Sequence, residues 1–277
     1  MSRSRSAVRQ GLFYVTATTV AFFILLPFFW MVSTSLKQKG ALMAIPIQWI
    51  PSEISFEGYR KLFAVIPFGR SAVNSILVSS TATLVTVASA TLAAYAFSKL
   101  EFRGRDRLFY AYLATMMVPS QVTTIPVFIV LRYLGLLDTY AGVVVPTSLF
   151  NAFGIFMLRQ YMSTIPNEFT EAALIDGASH FAVFTRIVLP LSKPIIATYG
   201  VITFMGAWND YFWPLVVLSD RNKMTLPVAL SHLSGQYSSD YNTLMAGSLI
   251  SILPIILVYL FAQKYFEAGL QVGGLKQ

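Results

Sequence analysis

Long stretches without charge constrain this chain more than any other feature of its sequence. Asp, Glu, Lys and Arg are absent from 10–36, 71–98, 108–131, 139–158 and 241–263, and Asp210 alone interrupts 194–219. About 20 apolar residues suffice for a helix to cross a bilayer. Six spanning helices are therefore predicted, at about 11–36, 71–98, 108–131, 139–158, 194–218 and 241–263. The runs are too long and too continuously apolar for the alternating strands of a membrane β-barrel.

Composition supports a membrane protein and excludes several soluble classes. Hydrophobic residues make up 56% of the chain and charged residues 12%, whereas about a quarter of a soluble domain is charged. A disordered chain and a soluble nucleic-acid binder are excluded, despite the net charge of +8. With no cysteine there is neither a disulfide framework nor a thiolate metal site. His180 and His232 have no second ligand at metal spacing, so we predict no metal site.

Basic residues predict the orientation of the helices. With the N-terminus inside, the inner segments 1–10, 99–107, 159–193 and 264–277 carry 12 Lys and Arg, and the outer segments 37–70, 132–138 and 220–240 carry 8. The densest cluster lies between Lys99 and Arg107. The positive-inside rule therefore predicts that both termini are cytoplasmic. The first apolar run is far longer than the apolar part of a secretory signal, which favours a retained membrane helix. The chain is predicted to form one membrane domain, 1–277, with an inner loop at 159–193.

Prolines and small residues inside the runs predict how the helices bend and pack. Proline is tolerated in membrane helices because neighbouring segments satisfy the freed carbonyls, so we expect kinks rather than breaks at Pro27, Pro119, Pro126, Pro146, Pro214 and Pro254. The second helix has a row of small residues at four-residue spacing: Ala82, Thr86, Ala90, Ala94 and Ser98. Such rows allow close helix approach, and packing within the chain is favoured here over a subunit contact.

The inner loop has the signals of two short helices separated by a glycine. Pro166 suits the first turn of a helix, and acidic residues follow near its positive end. Gly177 suits the left-handed position that closes a helix. Ser179 suits the cap of a second helix, expected to run to about Val188, before Pro190. On a helical wheel Phe169, Ala172 and Ala173 share one flat face, which suits close approach to another surface, and Glu168 and Glu171 lie on its flank.

The same loop carries a resemblance to a known family. Glu171-Ala172-Ala173, then Gly177, then Ile187-Val188-Leu189-Pro190 resembles the EAA motif of permease subunits in ABC importers. Further segments resemble the carbohydrate-uptake, maltose-type branch of these binding-protein-dependent transport system inner-membrane components. They are Phe56-Glu57-Gly58-Tyr59, Asn74-Ser75, Pro119-Ser120-Gln121-Val122, Leu134-Gly135-Leu136-Leu137-Asp138-Thr139, Phe156-Met157-Leu158-Arg159-Gln160, Trp208-Asn209-Asp210, Phe266-Glu267-Ala268-Gly269-Leu270 and Gly273-Gly274-Leu275-Lys276. The resemblance covers nearly the whole chain.

The resemblance implies a type I ABC importer permease fold, in the plasma (inner) membrane of a bacterium or archaeon. It implies a second permease subunit, expected to be a different chain, two ATPase subunits that bind ATP and Mg, and an extracytoplasmic solute-binding protein. The solute would be a sugar or sugar derivative. It implies that the coupling to the ATPase lies with Glu171, Ala172, Ala173, Asp176, Gly177, Ile187, Leu189 and Pro190. The chain itself has no phosphate-binding loop, so we expect it to be no enzyme and to hold no cofactor or nucleic acid.

Asp210 is the one acidic residue inside a predicted span, and such residues by default suggest function. It lies 16 residues beyond Pro194, or about 24 Å along a helix, toward the outer third of the bilayer. With Trp208, Asn209 and Trp213 it could form an outer gate or a sugar-facing surface. An interfacial aromatic belt with an interhelical hydrogen bond explains the same residues equally well.

Gln121 and Asn151 are the other candidates for a hydrophilic pathway, because each lies near the middle of a predicted span. The neighbouring Ser120, Thr123 and Thr124 are more typical of contacts that hold kinked helices together.

Two other classes of membrane protein are weighed against the permease. An ion-coupled secondary transporter would need ionisable groups at the midplane, and the sequence offers only the peripheral Asp210. An intramembrane enzyme would need a nucleophilic, paired-acid or metal-ligand constellation, and the predicted helices contain none. The permease subunit is therefore the leading hypothesis, with the secondary transporter as the alternative.

Overall fold

A computed structural model describes residues 2–38, 46–149, 151–236 and 240–274. Throughout those ranges the regular structure is helical. The helices are α1 Ser2–Ser35, α2 Glu57–Val65, α3 Phe68–Lys99, α4 Arg105–Ala114, α5 Ser120–Tyr133, α6 Tyr140–Ser148, α7 Ala152–Met162, α8 Asn167–Ile175, α9 His180–Val183, α10 Leu189–Leu191, α11 Lys193–Asn209, α12 Phe212–Val217, α13 Leu226–Gln236 and α14 Tyr241–Gly274. The predicted all-α fold class is confirmed. Lys39 of the outer charge count, and Leu275 and Lys276 of the family-like ending, lie outside the described residues.

Three helices of the described residues are long and apolar enough to cross a membrane by themselves: Arg9–Ser35, Phe68–Lys99 and Tyr241–Phe261. Three bent pairs pass the same test together. They are Arg105–Met117 with Ser120–Tyr133, at 101°, Tyr140–Ser148 with Ala152–Met162, at 45°, and His180–Leu191 with Lys193–Asn209, at 76°. Counting each bent pair as one span gives up to six. This upper number equals the six spans that the sequence predicts, with three of the six made of two bent helices.

The breaks correct the expectation that proline only kinks these helices. Pro126, for example, lies inside α5, as Pro27, Pro146 and Pro254 lie inside their own helices. Pro119, however, lies at the break of 101°, where Val118 is extended. The proline ring disfavours helical geometry in the residue before it, and proline has no N–H to donate. Pro214 occupies the first turn of α12, where proline costs little because no N–H bond is needed.

The chain divides into two compact units, Met1–Phe68 with Ala229–Leu253, and Gly69–Val228 with Pro254–Gln277. In the first unit Lys37 is fully buried. Its ammonium donates to the Gln48 carbonyl at 2.5 Å and lies 3.9 Å from the centre of the Trp30 ring. Lys61 pairs with Asp240 in the same unit. A buried lysine is costly unless its charge is paired or hydrogen-bonded, so these contacts fix the segment after α1.

The second unit contains both candidate sites, and α3 is its longest helix. All members of the small-residue row of α3 except the half-buried Ser98 are buried, and Ala90 and Ala94 belong to a cluster with Tyr95, Leu158 and Val188. Nearer the start of α3, other side chains form a second cluster, which consists of Val78, Ala82, Leu131, Val143, Val144, Trp213, Val217 and Leu218. The small-residue row therefore packs within the chain, as expected. It lets α6, α7 and the helices after the inner loop approach α3 closely.

Candidate functional site

The inner loop forms the predicted short helix, and its glycine closes it. α8 begins after Pro166 and ends at Ile175, with Asp176 as the C-cap. Gly177 follows in left-handed conformation, at φ +83°. The Gly177 N–H donates to the Leu174 carbonyl at 3.0 Å, and the Ala178 N–H donates to the Ala173 carbonyl at 2.9 Å. These two bonds form a Schellman motif, in which a left-handed residue satisfies the last carbonyls of a helix.

The second short helix is capped as predicted but runs further than expected. The Ser179 hydroxyl accepts the Ala182 N–H at 3.2 Å and caps α9. A wide π-helical turn, Phe184–Val188, leads directly into α10, so helical structure continues through Pro190 to Leu191. The expectation that the helix stops before Pro190 is wrong. Proline fits there because it lies in the first turn of α10, where its missing N–H is not required.

Two side chains of α3 hold the beginnings of these short helices. The Lys99 ammonium donates to the Ile165 carbonyl at 2.6 Å and to Oδ1 of Asn167 at 2.8 Å. The Tyr95 hydroxyl donates to the His180 carbonyl at 3.0 Å. The rings of Tyr95 and Phe184 are 5.0 Å apart. The loop is thus anchored at its two helix starts, while α8 has no buried side chain.

The loop exposes apolar and acidic groups together. Phe169 is 54% exposed, Ile175 86% and Phe181 71%. Glu171 and Asp176 are exposed, and no ion pair to either is formed within the described part of the chain. Exposed large apolar side chains beside carboxylates that form no ion pair are typical of a surface that a partner covers.

The eight residues predicted to couple to the ATPase divide into two groups. Glu171, Ala172, Asp176, Gly177 and Pro190 are exposed. Ala173, Ile187 and Leu189 are half-buried against the cluster around Leu158 and Val188. The two alanines therefore do not share one docking face, because Ala173 is turned toward its own chain. The helical wheel could not distinguish them, since one side of α8 also has to pack on the buried cluster of its own chain.

A cavity of about 370 Å³ lies among α3, α6, α7, α11 and α12. Its polar lining consists of Thr86, Thr147, Asn151, Tyr199, Thr203 and Asp210, and the ring of Phe153 also faces it. The volume lies within the range of small-molecule sites, roughly 300–1,000 Å³, which combine apolar walls with a few polar groups. Hydroxyl, amide and carboxylate groups beside aromatic rings are suited to a ligand with several hydroxyls.

Two breaks between helices bring polar residues to this cavity. Asn151 caps α7, its Oδ1 accepting the Gly154 N–H at 2.8 Å. Asp210 ends α11, and its Oδ1 accepts the Trp213 N–H at 3.3 Å in the first turn of α12. Each side chain therefore caps a helix and faces the cavity as well. A broken membrane helix is tolerated where it lines such a space.

The other predicted pathway residues are placed elsewhere. Trp208 is buried and Phe204 stacks on its ring at 5.9 Å, while Nε1 of Trp213 donates to the Gly142 carbonyl at 3.2 Å. Asn209 is exposed and its amide donates to the Met205 carbonyl of its own helix at 2.8 Å. Gln121 is exposed on α5, and its Oε1 accepts the Ser120 hydroxyl at 3.4 Å. Both tryptophans thus serve packing, and none of these four residues lines the cavity.

Sequence reasoning missed the hydroxyl residues of the cavity. Tyr199 is fully buried with its ring against Gly154, and Thr86, Thr147 and Thr203 lie on three different helices. A single hydroxyl residue inside an apolar run does not by itself indicate a binding site, because the threonine hydroxyl commonly bonds a carbonyl of its own helix. Only the folded arrangement of the helices brings them together.

Comparison with known proteins shows which family the chain resembles over most of its length. Residues 86–272 match the family described as binding-protein-dependent transport system inner membrane component. The chain is 35% identical to the arabinooligosaccharides transport system permease protein AraQ of Bacillus subtilis, over 91% of this chain and 90% of that one. It is 32% identical to the trehalose transport system permease protein SugB of Mycobacterium tuberculosis, over 98% and 99% of the two chains.

A solved structure has the same fold. It is a crystal structure of a bacterial ABC transporter involved in the import of the acidic polysaccharide alginate. One of its chains superposes with a TM-score of 0.82 at 28% identity, over 94% of this chain and 96% of that chain. The fold is therefore that of a type I ABC importer permease, and the predicted resemblance is confirmed.

Proposed function

Since the chain belongs to the family of binding-protein-dependent transport system inner membrane components, we propose that it is the permease subunit of an ATP-driven importer for a sugar or sugar derivative. The relatives named for arabinooligosaccharide, trehalose and melibiose/raffinose/stachyose transport carry this proposal. The ion-coupled alternative is not favoured, because these relatives are named as transport or import permease proteins and the solved structure with the same fold is an ABC transporter. Transport leaves the solute chemically unchanged, so the chain acts as a gated path rather than as an enzyme.

The proposed importer needs partner subunits that bind ATP, complete the membrane part and deliver the solute. ATP and Mg bind to two separate ATPase subunits, because the sequence has no phosphate-binding loop. A second permease subunit completes the membrane part, and an extracytoplasmic binding protein delivers the solute. A bacterial alginate ABC transporter, for comparison, has been crystallised in complex with a periplasmic protein that holds an alginate pentasaccharide. The protein lies in a bacterial or archaeal inner membrane with both termini cytoplasmic, the orientation that the charge count favours.

The exposed face of α8 docks on the ATPase. Glu171 and Asp176 supply negative charge for a cation of the partner, and Phe169 and Ile175 supply apolar area. Ala172 allows close approach. The half-buried Ala173, Ile187 and Leu189 carry the motion inward, because they pack on the helices that line the cavity. In this proposal ATP binding moves α8, and the rigidly packed cluster transmits that movement.

Two left-handed glycines give this docking proposal a matched test. Gly177 has φ +83° and Gly104 has φ +87°, and a Cβ at either position meets no atom within 4 Å. Gly177→Glu and Gly104→Glu therefore introduce the same charge and similar backbone strain on the same predicted side. We expect Gly177→Glu to abolish uptake and the co-purification of the ATPase, and Gly104→Glu to preserve both. Normal uptake and normal ATPase recovery in Gly177→Glu would contradict the docking role.

The solute passes through the cavity, where Asn151 and Asp210 bond its hydroxyls. Asp210→Asn preserves an oxygen that can cap α12, whereas Asp210→Ala removes the cap. If the carboxylate contacts solute, uptake by both variants falls while folding of Asp210→Asn is retained. Normal uptake by Asp210→Asn together with loss of folding in Asp210→Ala would leave Asp210 as a cap alone.

A further inference from the structure

Asp138, between α5 and α6, has an unusual backbone. Its φ is +55°, and among the described residues no other amino acid besides glycine has a positive φ. This left-handed region is disfavoured for residues with a Cβ, although Asp and Asn tolerate it better than most. The Asp138 N–H donates to the Val217 carbonyl at 2.9 Å, which joins the turn before α6 to the end of α12. The strain is therefore held in place by a long-range bond.

The Asp138 carboxylate gathers three donors from the segment after α12. Oδ1 accepts the N–H groups of Ser219 and Asp220, both at 3.0 Å. Oδ2 accepts the Lys223 ammonium at 2.7 Å, and the same ammonium donates to the Asp138 carbonyl at 2.8 Å. The hydrogen bond from the Asp220 N–H has the largest effect and that from the Lys223 ammonium the next largest, and they lower the pKa of this carboxyl to about 2. The carboxylate is thus charged and fully engaged at physiological pH.

These bonds fasten one end of the helices that line the cavity. α6 begins two residues after Asp138, and α12 ends at Val217. α3 joins them through Asn74, whose amide donates to the carbonyls of Asn222 at 2.8 Å and Met224 at 3.0 Å. The Tyr140 hydroxyl donates to Oδ1 of Asn74 at 2.8 Å. Three helices that surround the cavity, α3, α6 and α12, are therefore joined at one end by a hydrogen-bonded cluster. We call this cluster, formed by Asn74, Asp138, Tyr140 and the segment 217–224, the knot.

The knot lies at the far end of α3 from the inner loop. Asn74 and Lys99 are 25 residues apart on one helix, which is about 38 Å at 1.5 Å per residue. Lys99 holds α8, and Asn74 holds the knot. Val143 of α6 and Pro214 of α12 border the cavity within two helical turns of the knot. In the proposed orientation this end of α3 faces away from the ATPase, toward the side from which the solute is delivered.

We propose that Asp138 is a positioning residue for transport: with Lys223 it latches α12 to α6 and closes the outer end of the cavity, and the latch opens to admit solute. This inference rests on the proposed function and adds a gate to it. Because a two-state equilibrium moves when one state loses contacts, weakening the latch shifts the resting protein toward the outward-open form.

The absence of native cysteine makes a direct test possible. Thr147 faces the cavity, and its hydroxyl bonds only carbonyls of its own helix, so Thr147→Cys places a single thiol there. In the assembled transporter without ATP, a membrane-impermeant maleimide is applied to either face of the membrane. On adding Asp138→Gly, we expect outside labelling about tenfold faster, since several charge-assisted bonds are lost. Asp138→Asn and Lys223→Gln, which keep part of the latch, should give smaller increases, and inside labelling should not accelerate.

Asp106→Asn is the matched control. Asp106 pairs with Arg105 at 3.2 Å and Arg159 at 3.4 Å near the inner loop, so its loss should leave labelling unchanged. Outside labelling at the parent rate in all three latch variants would overturn the proposal, and so would equal acceleration from both faces, which indicates general loosening. If Asp138→Gly does not fold, Asp138→Asn and Lys223→Gln decide. Uptake and ATPase co-purification by the unmodified chain test the importer function separately.

Discussion

The two ends of α3 carry structures of opposite character. At the Asn74 end, side-chain and backbone groups bond one another in the knot around Asp138. At the Lys99 end, α8 has no buried side chain and exposes acidic and apolar groups together. One end is held by bonds within the chain, and we expect the other to be covered by a partner subunit. The difference separates a gate, which needs stable internal bonds to break, from a docking surface, which needs groups available to another subunit.

Two glycines, one at each end, give the largest expected difference in stability. A Cβ on Gly142 would lie 2.3 Å from the Leu136 carbonyl oxygen, whereas a Cβ on Gly177 meets nothing within 4 Å. We expect Gly142→Ala to destabilise the chain by about 3 kcal/mol through overpacking against backbone. Gly177→Ala should cost about 1 kcal/mol, from its left-handed φ alone. Thermal unfolding of the purified transporter compares them, and equal losses would break the contrast between the ends.

Lys99→Met tests how few bonds hold the docking end. Its ammonium makes two of the bonds that position α8, so its loss should loosen that helix by about 1–3 kcal/mol locally. Faster hydrogen exchange and faster proteolysis are expected at 163–180, with 212–223 unaffected. Lys193→Met, which changes an exposed lysine at the start of α11, is the control. Loosening of both segments to the same extent would show that the ends are not independent.

The pH dependence of amide protection should test the bonds around Asp138 without any mutation. The folded pKa of Asp138, about 2, lies below its ordinary value of 3.8, so its stabilising effect is complete above that value and is lost as the pH falls toward 2. Bonding to Asp138 raises the pKa of Lys223, so that contribution is lost only in strong base. Amide protection at Ser219 and Asp220, corrected for intrinsic exchange, should stay constant from pH 8 to 5 and fall below about pH 4. A loss of protection between pH 8 and 5 would contradict the latch geometry.

Local signals in the sequence predict the docking end well. Gly177 and Ser179 are predicted correctly because a helix end is determined by residues adjacent to it in the chain. The small-residue row of α3 is likewise predicted, since burial follows its spacing. The helical wheel fails at Ala173, because what α8 packs against is decided by distant residues such as Leu158.

The gate end cannot be predicted in the same way. In the sequence Asp138 stands out only as part of a family-like segment, and its partners lie about 80 residues further along the chain. A left-handed aspartate has no periodic signal, and a carboxylate in a loop normally indicates a solvated residue. Similarly, the sequence around Asp210 has the pattern of one continuous span, because its neighbours are apolar. The structure shows instead that α11 ends at Asn209 and α12 begins at Phe212.

The smallest effect on stability is expected at Glu171, although its functional effect should be clear. Glu171 is exposed and makes no ion pair within the described residues. Glu171→Gln should therefore change the free energy of unfolding by no more than about 0.5 kcal/mol, as other surface substitutions do, and shift the unfolding temperature little. Glu168→Gln is its matched control, because Glu168 lies near Lys99 of its own chain. We expect Glu171→Gln to retain several-fold less ATPase in a pull-down and Glu168→Gln to retain almost all of it. Equal retention by the two variants would place the partner's cation elsewhere on α8. A fall in unfolding temperature for Glu171→Gln alone would mean that this end is bonded internally after all.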